Sequence, residues 1–176
     1  MTKEKLLQEA EERAYKYEQE YRFCSQCALL AIQEVFDLPS DGALKASTGF
    51  AGGIGRMGSV CGAFLGGVMA FGLLYGRDRQ TMKDPDTEMN AQRRQEAEEK
   101  LGNLTKKLRA KFEGEFGSIL CDDIEMKIFG RSFDKWNPKD RKEKDSLGGH
   151  DDKCPMVVGK ATRWAAELIL EGQGRR

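Results

Sequence analysis

A single histidine, His150, stands in this chain of 176 residues, so no familiar site built on several imidazoles can form within it. Net charge is missing too: 29 lysines and arginines balance 29 aspartates and glutamates. Nucleic-acid binding draws on a basic surplus gathered on one face. There is neither a surplus nor a long cationic run, so no nucleic-acid partner is expected. The opening "MTKEKLLQEAEERAYKYEQE" lacks the apolar core of a signal peptide, which points to a cytoplasmic setting where thiols are kept reduced. No segment alternates polar and apolar residues over a useful length, so strands are not expected either. C-x-x-C-H is also absent, and with it the means of attaching a c-type haem.

What is present is helical periodicity. Leu7, Ala10, Ala14, Tyr17, Tyr21 and Cys24 recur at spacings of three and four, and Ala28, Ala31 and Val35 continue the stripe. Residues 3–36 therefore read as one long helix, or as two with a break near Tyr21, stopped at Pro39 and Gly42. A short helix over 40–48 takes Ser40 as its cap. Glycines at 49, 52, 53, 55 and 58 prescribe a loop with unusual backbone angles, and a helix follows over 59–75. A charged helix over 86–112 carries its buried stripe on Ala97, Leu101, Leu104, Leu108 and Phe112. Gly117 and Ser118 restart the chain into a helix bearing Cys121, with Ser118 as its cap. Residues 130–153 read as a long polar loop. The last helix, 155–170, turns Val158, Ala161, Ala165 and Leu168 inward. The expected fold is all-α, a single-domain antiparallel bundle over 1–176, since this length suits one ordinary core.

The segment "GGIGRMGSVCGAFLGGVMAFGLLYG", 52–76, admits three readings. As a dinucleotide cradle, its G-x-G-x-x-G needs a buried strand before it, and "ALKASTGFAG" is not one. As a membrane span, residues 57–76 are long enough, but six glycines dilute them and the other helices' apolar stripes need a core of their own. As a buried helix, the glycines at 58, 62 and 66 leave one flank bare for a close neighbour. The third reading accounts for the glycines directly, and no membrane span is expected.

The five cysteines then draw attention. Cys61 falls at the start of that helix, Cys154 precedes Pro155 as a cap, and Cys121 lies three residues after Ser118. Cys24 joins them if the first helix breaks near Tyr21. A helix N-terminus lowers a thiol's pKa and favours the thiolate, the better nucleophile and metal ligand. Cys24 and Cys27 form C-x-x-C outside the setting that makes it a thioredoxin-type motif. The separations of the other cysteines match no local zinc or ferredoxin spacing, so only the fold could assemble them. His150 offers a metal ligand or a base for Cys154, and is read as a solvated loop residue. The pairs Asp122-Asp123 and Asp151-Asp152 are read as solvated surface.

"CGAFLGG" at 61–67, "FCSQCAL" at 23–29, "FGSILCDDI" and "DKCPMVVGKATRWAAELI" together resemble the C-GCAxxG-C-C family of redox-active proteins, in order and spacing, over roughly 20–170. The resemblance implies that Cys24, Cys61, Cys121 and Cys154 are the family's four cysteines, as catalytic thiols or as ligands of an iron–sulfur cluster or other thiolate-bound metal. Cys27 stands where the family usually has alanine, and Phe23 where it has asparagine. The first fifteen residues and the 130–153 loop look like additions. A similar module in split-Soret cytochromes c implies a fold that can sit beside redox centres. The expected function is thiol–disulfide redox or metal-based electron transfer, with a redox partner protein and a homodimer as the partners in view. The competing expectation is a non-enzymatic metal- or partner-binding bundle with inert buried thiols.

Overall fold

The computed structural model describes residues 2–83 and 88–174. Its helices are α1 Lys3–Glu20, α2 Cys24–Phe36, α3 Asp41–Ser47, α4 Gly62–Tyr75, α5 Arg79–Lys83, α6 Glu88–Phe116, α7 Cys121–Phe129, α8 Pro138–Ser146 and α9 Cys154–Gly172. No strand occurs among the described residues, and the sole strand-like feature is an isolated antiparallel bridge between Val60 and Leu120. The all-α expectation holds. Among the described residues no helix is long and apolar enough to cross a membrane.

α1 buries Leu7, Ala10 and Ala14 as their spacing predicts, but the stripe then changes residue. Tyr21 is 60% exposed and Glu18, on the adjoining face, is buried instead. α1 and α9 pack along each other, and α2 lies across both and against α4. The core between them is built from Leu29, Ile32, Phe71, Leu108 and Ile169. The ring of Phe112 meets those of Phe64 and Trp164 edge-on, at 5.3 and 5.5 Å. Such pairs hold the bundle's long sides by area and by quadrupole geometry.

The break after α1 is made without glycine. Arg22 and Phe23 both take left-handed backbone, at φ 59° and 63°, a conformation costly for bulky side chains. Asparagine accepts it far better. Phe23→Asn is therefore expected to stabilise the protein by about 1 kcal/mol, read as a rise in the urea midpoint at unchanged slope.

A second strained stretch follows α3, whose cap is Ser40 as expected, its hydroxyl accepting from the Ala43 N–H. Gly52, Gly53, Ile54, Gly55 and Arg56 all have φ between 58° and 77°, so the glycine-rich loop is a left-handed turn. Gly49 does not take part, lying in a 3-10 turn over Thr48–Phe50. A Cβ on Gly53 would come within 2.6 Å of the Ser59 nitrogen, so here the glycine is required.

Some boundaries move. α4 begins at Gly62 rather than Ser59, and Met57 is 67% exposed, so the expected burial from residue 57 onward fails at its first residue. α6 runs a turn past Phe112 to Phe116, and its expected start at Asp86 lies outside the described residues. Ser118 does not cap α7. Its hydroxyl accepts from the Leu120 N–H and donates to Asp123, and Leu120 stands at the cap. Residues 130–153 are not a loop. Asn137 caps α8 by accepting from the Lys139 N–H at 2.9 Å, Pro138 opens it, and a π-helical turn over Gly149–Lys153 leads into α9.

Candidate functional site

Cys24, Cys61, Cys121 and Cys154 all line one cavity of about 400 Å³. Each sits at the start of an α-helix: Cys24 and Cys121 are the first residues of α2 and α7, and Cys61 is the cap of α4. Cys154, expected as a cap, is instead the first residue of α9, its N–H already bonded to the Gly149 carbonyl because the preceding π-turn runs straight into the helix. The local causes are distinct. The left-handed Arg22–Phe23 break turns α2 so that Cys24 leads it. The Val60–Leu120 bridge ties the segment of Cys61 to that of Cys121, with the Cys61 N–H donating to the Ile119 carbonyl (2.8 Å). In return the Cys121 N–H donates to the Ser59 carbonyl (2.7 Å). Gly62 lies directly beneath Cys24: a Cβ there would stand 2.6 Å from the Cys24 sulfur. All five cysteines are free thiols.

Helix-start placement does not yield thiolates in this state. Burial raises the pKa of Cys24, Cys61 and Cys121, each far above the ordinary thiol range, and raises that of Cys154 as well. The backbone N–H groups of Ala63 and Phe64 favour a charged Cys61, and that of Gly52 a charged Cys24, but neither offsets the lost hydration. The thiols also oppose one another, since charge on Cys121 or Cys154 disfavours charge on Cys24. The expectation of lowered pKa values is thus corrected: burial outweighs the helix dipole.

A stability consequence follows. A thiol whose folded pKa is raised holds its proton after the unfolded chain has released it, so its contribution is full below about pH 8.5 and lost as pH rises beyond. The urea midpoint is expected to fall between about pH 8 and pH 10. Cys27→Ala, which removes another raised thiol, should make that fall shallower.

The rest of the wall comes from residues that periodicity did not single out. Glu125 on α7 is 2% exposed and is held by three donors: Lys144 at 2.7 Å, Lys135 at 3.0 Å and the Phe133 N–H at 3.1 Å. Lys135 also pairs with Asp122 at 2.6 Å, so that carboxylate is engaged rather than merely solvated. The nearby Lys144 ammonium favours the charged form of Cys154 against burial. His150 lines the cavity too, its side chain only 23% exposed, with Nδ1 3.3 Å from Glu18 Oε1. The solvated reading of His150 is therefore corrected. Lys135, Lys144 and His150 all belong to the 130–153 segment, which turns out to be one side of the site. The Asn137-Pro138 cap signal was the clue that this segment is structured.

Cys27, by contrast, does not line the cavity; it is buried and donates to the Arg22 carbonyl at 2.8 Å. Among the described residues no three His, Cys, Asp or Glu side chains are arranged to hold a metal ion.

The model of a family described as "Putative redox-active protein (C_GCAxxG_C_C)" matches residues 22–168. No curated protein and no solved structure gives a significant match.

Proposed function

The chain belongs to the C_GCAxxG_C_C family, and from that premise we propose that Cys24, Cys61, Cys121 and Cys154 are redox-active thiols that cycle between dithiol and disulfide inside the cavity. The observation that carries this reading is the gathering of four free thiols, one from each of four helix starts, around one space. Cys154 is the attacking thiol. It alone of the four has a lysine charge as the largest influence after burial, and Lys144, whose own pKa burial lowers but Cys154 and Glu125 together raise, stays an ammonium that stabilises the sulfur anion. Thiolate attack on a disulfide sulfur gives a mixed disulfide, and a neighbouring thiol of the set then displaces it.

An iron–sulfur cluster would draw on the same sulfurs. Their donor chemistry suits one, but the described residues present no preformed ligand set, and burial retains the protons that ligation must displace.

The test is anaerobic purification, metal analysis and a thiol count in denaturant before and after mild oxidation. Thiols should disappear in pairs while Cys27 survives. A brown protein with stoichiometric iron would replace this reading by the cluster reading, and thiols inert to oxidants would leave a binding module. The cytoplasmic setting belongs to the same proposal, because a reducing compartment keeps these thiols ready.

A further inference from the structure

Two features of the cavity are left unexplained by sulfur chemistry alone. The first is Glu18. Its side chain is 2% exposed and lines the cavity, yet Oε2 has no hydrogen-bond partner, and the facing His150 Nδ1 has none either. Leaving a buried acceptor unsatisfied costs about 1–3 kcal/mol, so such an oxygen marks a place where a donor belongs. The second is a set of cations. Lys135 and Lys144 are neutralised by Glu125 and Asp122, and Arg22 faces Asp145 at 3.5 Å. Arg56, Arg141 and Lys142 also line the cavity, but none has an ion-pair partner among the described residues. Arg141 and Lys142 are exposed and Arg56 is half-buried. In a chain whose net charge is zero, three uncompensated cations around one opening are a local excess that attracts anions.

The two features differ in depth. Glu18 is buried and offers an acceptor, whereas the unpaired cations are nearer the solvent and call for carboxylate or another anion. The thiols line the same space. A ligand matched to all three carries a donor at its inner end, a negative charge at its outer end and a reducible bond between.

We propose, on the basis of the thiol–disulfide reading above, that the cavity binds and reduces a small amino-acid disulfide of the cystine class. The ammonium of one half of the ligand meets Glu18, and the carboxylate of the other half, across the S–S bond, meets Arg56, Arg141 and Lys142. The Cys154 sulfur, after giving up its proton, attacks one ligand sulfur. The ligand S–S bond breaks, a mixed disulfide forms, and the departing half leaves as a thiolate that takes up that proton. A second cavity thiol then attacks the mixed disulfide, its proton passing to the second departing half. Two electrons have moved from the protein thiols to the ligand: two amino-acid thiols are formed and one protein disulfide remains.

The experiment mixes reduced, anaerobic protein with four disulfides: cystine, cystamine (ammonium only), dithiodipropionate (carboxylate only) and uncharged hydroxyethyl disulfide. Loss of protein thiols is followed by mass spectrometry, and each rate is divided by that of the unfolded chain in urea, which removes intrinsic leaving-group differences. Cystine should exceed hydroxyethyl disulfide by about tenfold, as one charge-assisted hydrogen bond would give. Glu18→Gln, nearly isosteric, also removes a charge that disfavours the Cys154 thiolate for every ligand alike, so its rates are compared with its own hydroxyethyl disulfide rate: on that scale it should slow cystine and cystamine and spare dithiodipropionate. The exposed pair Arg141→Ser with Lys142→Ser, which carries little risk to folding, should slow cystine and dithiodipropionate but spare cystamine. Equal normalised rates for all four disulfides would overturn the inference while leaving the thiol reading intact. So would a Glu18→Gln variant that leaves the ratio of the cystine rate to the hydroxyethyl disulfide rate unchanged, or an Arg141 and Lys142 double variant without effect on cystine. Folded thiols that none of the four oxidises would instead sink the thiol–disulfide reading itself.

Discussion

Gly62→Leu is expected to cost about 3 kcal/mol or to prevent folding, whereas Gly72→Ala, ten residues on in the same helix, should gain about 1 kcal/mol. The contrast rests on what surrounds each position. A Cβ at Gly62 would stand 2.6 Å from the Cys24 sulfur, 2.9 Å from the Phe50 carbonyl oxygen and 3.2 Å from the Ser25 nitrogen. Two of those neighbours are backbone, so rotating the Cys24 side chain away would not clear the space. One turn later, a Cβ at Gly66 would meet the Ser25 carbonyl oxygen at 2.7 Å and the Ala28 Cβ at 2.9 Å. The spaced glycines of "CGAFLG" are thus the surface on which α4 crosses the start of α2, and the crossing brings Cys61 beside Cys24. At Gly72 a Cβ meets nothing within 4 Å, so alanine there only removes backbone freedom from the unfolded chain. Equilibrium urea unfolding of both variants checks the pair. Equal, small effects at the two positions would mean that α4 does not approach α2 this closely.

That crossing also shows how much the sequence discloses. The spacing of Gly62 and Gly66 announces a close helix contact, and the cap at Ser40 can be read from residue type and position, whereas Cys61, read as lying in the first turn, is the cap itself. Gly58 shares the spacing but not the role: it lies in the loop, with a left-handed backbone, against the Asp122 carboxylate. The four cavity cysteines are legible as a set through the family resemblance, which their expected places near helix starts support. Their protonation is not, because a motif records the N–H groups that would favour thiolate but not the burial that opposes it. Glu18 escapes a hydrophobic-periodicity reading altogether, since a carboxylate on an inward face looks like a boundary of the stripe. The 130–153 segment escapes for a related reason. α8 carries almost no apolar residues, and what seats the segment is the burial of Glu125 against Lys135 and Lys144, a tertiary pairing with no local periodicity.

The same pairing makes the sharpest test of which thiol acts. Cys154→Ser should abolish oxidation of the cavity thiols by small disulfides, and Cys27→Ala should leave it at the wild-type rate, because Cys27 lies outside the cavity with its proton committed to the Arg22 carbonyl. Among Cys24, Cys61 and Cys121, whichever resolves the mixed disulfide should reveal itself when replaced by serine: the reaction then halts with the adduct on Cys154, read directly by intact mass. Lys144→Met separates electrostatic help from scaffolding. Glu125 keeps Lys135 and the Phe133 N–H in that variant, so the wall keeps its anchor while Cys154 loses its cation. The rate–pH profile should move to higher pH, one unit of thiolate pKa being worth tenfold in thiolate fraction at neutral pH, and a high-pH rate near wild type would confirm that the site still stands. A slower Lys144→Met protein with an unmoved profile would make the lysine a structural strut only. If instead Cys27→Ala abolishes the reaction and Cys154→Ser does not, the attacking thiol has been misassigned and lies on the far side of Cys24, in the C-x-x-C pair.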